Sequence, residues 1–298
     1  MTETRVPPLA ENGISLIIPI YNESEGIGSF LNELQSFLVS SPFPTEVIIV
    51  DDGSTDDTPT QIKRLPYKVI RHETNRGYGA AIKSGIEQCQ HEIIAIMDAD
   101  GTYPFHELPV LCQNLNHYDM VVGARTGPDA HIPWTRRPAK WLIRLFAGWL
   151  VQQPIPDLNS GMRAIRRTQL EPIRRLLPDG FSLTTTLTVA FHTTGKRICY
   201  HPIEYRQRSG NSKFHPITDT WNMILLILRT VVLLRPLNVF LPLSFLFAIL
   251  AIGIGFYSKF FTEKFMDATF IVLMMASVQM FVLGLIADLI VRVHLWTH

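Results

Sequence analysis

The sequence predicts an α/β protein: a doubly wound, mainly parallel sheet, followed by an interfacial helix and two transmembrane helices. Three observations carry this. Between residues 13 and about 210, short apolar segments alternate with segments of helical period, the pattern of a parallel sheet covered on both faces. Polar clusters fall where the apolar segments end. Near the carboxyl end, residues 237–257 and 268–287 are uncharged runs of 21 and 20 residues, each long enough to cross roughly 30 Å of hydrocarbon as a helix.

The elements follow in order. Residues 1–12 are polar and hold no apolar core, so no signal peptide is expected there. Residues 14–19 form a buried strand. Residues 23–39 place Ile27, Phe30, Leu31, Leu34, Phe37 and Leu38 on one helical face. A second strand spans 47–50 and ends in Asp51-Asp52-Gly53-Ser54. Residues 54–64 can be helical, 68–71 form a strand, 79–90 a helix and 92–97 a strand. That strand ends in Asp98-Ala99-Asp100-Gly101. Residues 120–124 form another, closed by Arg125, with a helix starting near Pro138. Residues 217–234 are apolar but carry Asp219, Asn222 and Arg229; Trp221, Ile224, Leu225, Leu228 and Val232 follow helical spacing, as in a helix lying against headgroups. The expected organisation is a polar tail at 1–12, an α/β domain at 13–215, an interfacial helix at 216–235, a membrane domain at 236–292 with spans near 237–257 and 268–291, and a tail at 293–298.

Charge orients the membrane part. Arg229 and Arg235 precede the first span and Arg292 follows the second, while the connector balances Lys259 and Lys264 against Glu263 and Asp267. This favours an integral membrane protein with its α/β domain and both termini cytoplasmic. The net charge of +1 offers no case for nucleic acid. Cys89, Cys112 and Cys199 form no CxxC and read as reduced thiols, and the histidines form no metal-binding pair.

The chemistry concentrates at the strand ends, where ligands of such sheets gather. Asp98 and Asp100, at i and i+2 of an extended segment, point to one side. The residues alone allow two readings: a clamp for Mg²⁺ or Mn²⁺ on a diphosphate, or a turn in which the aspartates cap the next helix. Tyr21 can pack on a base while Glu23 and Asp52 accept hydrogen bonds from base or ribose groups. Residues 75–81 superficially suggest a dinucleotide fingerprint, but lack its third glycine and do not follow the first strand, so a dehydrogenase is set aside. Gly77 and its neighbours instead let the loop pass close to a sugar or phosphate.

Taken together, Pro19-Ile20-Tyr21-Asn22-Glu23, Asp51-Asp52-Gly53-Ser54, Asp98-Ala99-Asp100 and Asp157-Leu158-Asn159-Ser160-Gly161 resemble family 2 glycosyltransferases of GT-A fold. With Arg208-Ser209-Gly210-Asn211-Ser212-Lys213 added, the chain resembles their polyprenyl-phosphate branch. The resemblance implies that Pro19, Tyr21, Glu23 and Asp52 hold the nucleoside, and that Val50, Gly77, Asp98 and Lys213 also face the nucleotide sugar. Asp98 and Asp100 would hold Mg²⁺ or Mn²⁺. Relatives often carry a glutamine two residues beyond the second aspartate, where this chain has Thr102. The absence of Gln-x-x-Arg-Trp argues for transfer of a single sugar.

The implied reaction is an inverting transfer of one hexosyl group from a UDP- or GDP-linked sugar to undecaprenyl or dolichyl phosphate. A phosphate monoester is largely dianionic near neutral pH, so it needs a cationic socket more than a base. Arg125, Arg137, Arg208 and Lys213 are candidates, with a donor hydroxyl from Ser212; Asp100, Asp157 and Arg208 are the expected catalytic residues. Asp157 is either a base or a group that orients an arginine or the sugar, and Arg163 is its expected partner. Ser160-Gly161 reads as a tight turn beneath the sugar. Alternatives are a lipid or glycan hydroxyl acceptor, or a non-catalytic nucleotide-sugar-binding scaffold. Paired spans and an interfacial helix would suit self-association into a homo-oligomer.

Overall fold

The computed structural model describes residues 13–126, 137–180, 182–206, 216–261 and 267–296. In chain order the elements are β1 (Ile14–Ile20), α1 (Ile27–Ser40), β2 (Thr45–Asp51), α2 (Thr58–Ile62), β3 (Lys68–Arg71), α3 (Tyr78–Glu87), β4 (Ile93–Ile96) and α4 (Leu108–Asn114). They continue with β5 (Met120–Ala124), α5 (Arg137–Val151), β6 (Arg163–Arg166), α6 (Arg167–Leu170), α7 (Leu183–Thr193) and β7 (Ile198–Pro202). Three long helices end the chain: α8 (Pro216–Leu234), α9 (Leu237–Phe261) and α10 (Asp267–Trp296).

The described strands form one seven-stranded sheet in the order β3-β2-β1-β4-β6-β5-β7. β3, β2, β1 and β4 run parallel to one another, and β5 is parallel to β7; β6 runs antiparallel to β4 and β5, between which it lies. The chain winds outward from β1 through β2 to β3, then returns to place β4 on the other flank of β1. That reversal opens a crevice beyond the carboxyl ends of β1 and β4. β6 has a separate consequence. Being antiparallel, it begins at the edge where β4 and β5 end, with Arg163 opposite both Ile96 and Val122. The loop feeding it, residues 157–161, therefore arrives at the same edge as the carboxyl termini of its neighbours.

Both faces of the sheet are covered. On one, Ile27, Phe30, Leu34 and Phe37 of α1 pack with Leu16, Ile18, Ile49 and Phe105. On the other, Ile82 and Ile86 of α3 meet Ile17, Ile48 and Ile94, with Leu187 and Phe191 of α7 alongside. Side chains of this kind contribute about 1.5–3 kcal/mol each on full burial. Helix α1 starts at Ile27, the first residue of its apolar period, rather than at the expected residue 23, because residues 22–24 are stitched to the loop after β2. The amides of Asn22, Glu23 and Ser24 donate to Ser54 Oγ, Thr58 Oγ1 and Asp56 Oδ2 at 3.0 Å each. Those same bonds hold Ser54 and Asp56 outside α2, which starts at Thr58.

Helix α8 is two-faced. Ile227 and Val231 are buried against Ile143, Ala147 and Leu150 of α5, while Trp221 and Leu225 are exposed. Helix α5 repeats the pattern, exposing Trp141, Leu145 and Trp149 one turn apart. The interfacial character expected for α8 thus has a second apolar stripe on the helix packed beside it. Helices α9 and α10 are each long and apolar enough to cross a membrane. They pack on one another through Ser244 and Ser277, whose hydroxyls donate to each other's backbone carbonyls at 2.9 and 3.0 Å. In hydrocarbon such reciprocal bonds satisfy polar groups that lipid cannot.

Candidate active site

Four strand ends and the entry to β6 build one polar edge. At the end of β1, Tyr21 is 43% exposed at the rim, while Pro19 lies buried in register with Val50 of β2. These two form floor rather than rim. Beyond β2 the two aspartates divide. Asp51 Oδ1 accepts the amide of Ser54 at 2.9 Å and its Oδ2 lies 3.2 Å from Arg71 Nε, a turn closed on itself.

Asp52 turns inward. Its Oδ1 lies 2.7 Å from Nδ1 of the buried His72 and accepts the Arg76 amide at 2.9 Å; its Oδ2 accepts the Gly77 amide at 2.8 Å. His72 is held in turn by Ser84 Oγ at 2.9 Å. Expected at the nucleoside, Asp52 is 3% exposed and engaged in pinning the loop that carries Gly77 and Tyr78.

That loop delivers a group absent from the sequence-level candidates. The hydroxyl of Tyr78, the first residue of α3, donates to Asp98 Oδ1 at 2.7 Å. Burial, and then the Asp98 charge, push its pKa well above the ordinary value, so it stays a donor. Asp100 is braced similarly: Thr102 donates to Oδ1 from its hydroxyl at 2.6 Å and from its amide at 3.1 Å. Thr102 is fully buried, so this residue supports a carboxylate rather than standing as a third oxygen ligand.

The loop before β6 supplies the other wall. The amide of Gly161 donates to the Tyr103 hydroxyl at 2.8 Å, and Ser160 Oγ to the carbonyl of Gly123 at 2.6 Å. Gly161 is then so close to Asp98 that a Cβ added there would lie 2.0 Å from Oδ2. No side chain fits. Gly161→Ala is expected to displace the Asp98 carboxylate and lower sugar transfer by about 10²-fold, the usual scale for a misplacement near 1 Å. Transfer rates measured beside the thermal unfolding midpoint check this; wild-type transfer would show that the two residues are not packed as described.

At the end of β5, Arg125 makes a bidentate pair with Asp157, Nε to Oδ2 and Nη2 to Oδ1 at 2.8 Å each. Its amide adds a third bond to Asp157, its Nη2 reaches Asn159 Oδ1 at 2.7 Å, and its guanidinium lies over the Tyr205 ring. Burial alone would raise the Asp157 pKa, but the hydrogen bonds and charge of Arg125 outweigh it and bring the carboxyl to about 2. Arg163, expected to pair with Asp157, does something else. It is fully buried and donates to the carbonyls of Ser160 and Leu158 at 2.8 and 3.0 Å and to Thr188 Oγ1 at 2.7 Å. Position explains the correction: as the first residue of β6 it points beneath the loop, whereas Arg125 reaches across it.

Of the remaining candidates, Glu23 is half-buried beside the stitched loops. Arg137 is the first residue of α5, with its side chain outside the described residues; Arg208, Ser212 and Lys213 also lie outside them. Among the described residues no group of three or more His, Cys, Asp or Glu forms a closed metal cage. Two braced carboxylates at one strand end nonetheless fit Mg²⁺ or Mn²⁺, which commonly take one or two carboxylates and complete their shell with substrate phosphates and water. Tyr78, Tyr103, Tyr205 and His72 were missed by sequence reasoning. For Tyr78 a signal exists, because it sits in the glycine-bearing loop one strand before the acidic tetrad.

Residues 15–173 match the family model described as glycosyl transferase family 2, and residues 235–293 match the one described as GtrB C-terminal hairpin. The dolichyl-phosphate hexose transferase of Haloferax volcanii is 31% identical over 205 residues, covering 68% of this chain and 87% of that protein. The dodecaprenyl-phosphate galacturonate synthase of Rhizobium johnstonii is 25% identical over an alignment of 309 positions, covering 96% of this chain and 90% of that protein. Among solved structures, glucosyl-3-phosphoglycerate synthase from Mycobacterium tuberculosis, in complex with Mn²⁺, UDP-glucose and phosphoglyceric acid, shares the fold. The TM-score is 0.59 at 20% identity, over 74% of this chain and 80% of that one.

Proposed function

The chain belongs to glycosyl transferase family 2, and from that premise we propose that it moves a single hexosyl group from a UDP- or GDP-linked sugar to a polyprenyl phosphate, with inversion. The observation that carries the reading is the edge itself: two braced carboxylates and a fixed arginine, on a chain that also bears two apolar helices long enough to cross a membrane. Relatives named for dolichyl-phosphate and dodecaprenyl-phosphate sugar transfer support the acceptor class.

In this reading residues 13–215 are the catalytic domain, 216–235 the interfacial helix and 236–292 the membrane domain, with the active site and both termini at the cytoplasmic face. Asp98 and Asp100 would hold Mg²⁺ or Mn²⁺, which supplies Lewis-acid stabilisation of the leaving diphosphate when bound. Arg125, with Arg137, Arg208, Ser212 and Lys213, offers donors to the attacking phosphate, and Tyr21, Glu23 and Gly77 border the nucleoside sugar. Asp157 holds Arg125 in its fork. A hydroxyl acceptor would need a base, and Asp157, weighed for that role, is already engaged by four hydrogen bonds and is ionised far below neutral pH. The exposed Trp141, Leu145 and Trp149 on α5, beside Trp221 and Leu225 on α8, suit a headgroup layer and keep the edge near a lipid-borne acceptor.

The test is incubation of membranes containing the full chain with labelled nucleotide sugars and undecaprenyl or dolichyl phosphate. Label entering the organic phase, and lost on adding EDTA, is expected. Label appearing only in a lipid or glycan that lacks the added phosphate would overturn the acceptor assignment.

A further inference from the structure

We propose that Tyr78 is a positioning residue for the metal site, fixing the Asp98 carboxylate in the orientation that a divalent cation requires. The inference rests on the reading of Asp98 and Asp100 as metal ligands and goes beyond it, because Tyr78 ligates nothing.

The geometry is a chain of fixed parts. Asp52, itself held by His72, accepts the amides of Arg76 and Gly77, which fixes the backbone immediately before Tyr78. From the far side, residues 178–179 close on the same loop. The Ala80 amide donates to the Asp179 carbonyl at 2.9 Å, Lys83 pairs with the Asp179 carboxylate, and a Cβ on Gly79 would lie 2.1 Å from the Pro178 carbonyl. Gly77 has φ +101°, and a Cβ there would lie 2.5 Å from the Asp179 carbonyl oxygen, so two glycines permit this seam.

A tyrosine leaving such a clamped loop has little freedom, and its hydroxyl meets Asp98 Oδ1 at 2.7 Å. On the opposite side the Gly161 backbone closes on Oδ2. The carboxylate of Asp98 is therefore set from both sides, one with a hydrogen bond and one by contact. Groups that orient metal ligands in this way typically change metal affinity about 10- to 100-fold when removed.

The decisive variant is Tyr78→Phe, which deletes one oxygen and keeps the ring. Mn²⁺ binding to the full chain in detergent is followed by electron paramagnetic resonance of the free ion, with Mn²⁺ alone and with UDP or GDP added. The Mn²⁺ concentration that half-saturates sugar transfer is measured in parallel. The expected result is a Kd for Mn²⁺ raised about 10-fold, an equal shift in half-saturation, and kcat at saturating Mn²⁺ within about threefold of wild type. A merely structural role would lower the unfolding midpoint or kcat at every Mn²⁺ concentration and leave the Kd in place, and that outcome overturns the proposal. Asp100→Ala separates the two readings. If wild type and Asp100→Ala bind Mn²⁺ alike, the metal site itself is wrong; if Asp100→Ala loses Mn²⁺ while Tyr78→Phe does not, only the positioning role falls.

Discussion

Asp100→Ala is expected to reduce sugar transfer by at least about 10³-fold while leaving the protein folded. In the proposed reaction charge develops on the diphosphate as its bond to the sugar breaks. A cation on Asp98 and Asp100 would offset that charge by several kcal/mol, and roughly 4 kcal/mol corresponds to a factor of 10³. The fold has little stake in the substitution. Asp100 is only half-buried, it lies past the end of β4, and it accepts two hydrogen bonds from Thr102, a local neighbour two residues away. Removing one of two neighbouring carboxylates also relieves like-charge repulsion. The unfolding midpoint without metal is therefore expected to stay the same or rise slightly. Asp100→Asn keeps the shape and the Thr102 contact but not the charge, and is expected to lose nearly as much activity. The measurement is transfer of label into polyprenyl phosphate at saturating donor, alongside thermal unfolding. Transfer within about threefold of wild type in Asp100→Ala would remove the metal from the mechanism.

Much of this edge could be read from residues alone, and the reasons it could not all be read are physical. β1, β2 and β4 are wholly or largely apolar and end in acidic or aromatic clusters, so their period and their punctuation agree. β6 gives no such signal. It is four residues long, begins and ends in arginine, and runs against its neighbours, and none of that follows from local pattern. The same element explains the misassigned pairing of Asp157. Sequence proximity favours Arg163, six residues on, but pairing to β4 and β5 sends that side chain under the loop to the Leu158 and Ser160 carbonyls. Asp52 has a role that local pattern does not show: a strand-end aspartate invites a ligand, and only the path of residues 72–77 reveals that its oxygens also pin the next loop. For α5 only a start near Pro138 is legible; its contact with α8 is what divides its apolar residues between a core and an exposed stripe.

Asp157→Asn is expected to destabilise the protein by about 3 kcal/mol at pH 7 and to slow transfer without abolishing it. Part of the stability loss is linkage. The carboxyl falls from its ordinary 3.8 to about 2 in the folded chain, which contributes about 2 kcal/mol of stability wherever Asp157 is ionised in both states. For a depressed pKa the sign is fixed: this stability is complete above about pH 5 and is lost as pH falls through 3.8 toward 2. The linkage figure already contains the loss of Arg125's counter-charge; the rest comes from the asparagine Nδ2, a donor set against one arm of the Arg125 fork where an acceptor oxygen had been. The difference in unfolding free energy between wild type and Asp157→Asn, measured from pH 7 down to pH 3, is expected to shrink with falling pH. Activity carries the mechanistic half. If Asp157 only holds the Arg125 fork, Asp157→Asn loses about 10- to 100-fold, mostly in KM for the polyprenyl phosphate, and a double variant with Arg125→Met costs little more than Arg125→Met alone. If Asp157 were a base, kcat would collapse in Asp157→Asn with Arg125 intact, and the two losses would be separable. A dianionic phosphate acceptor predicts the first pattern, because its attacking oxygen arrives already deprotonated and lacks only a fixed cation to meet it.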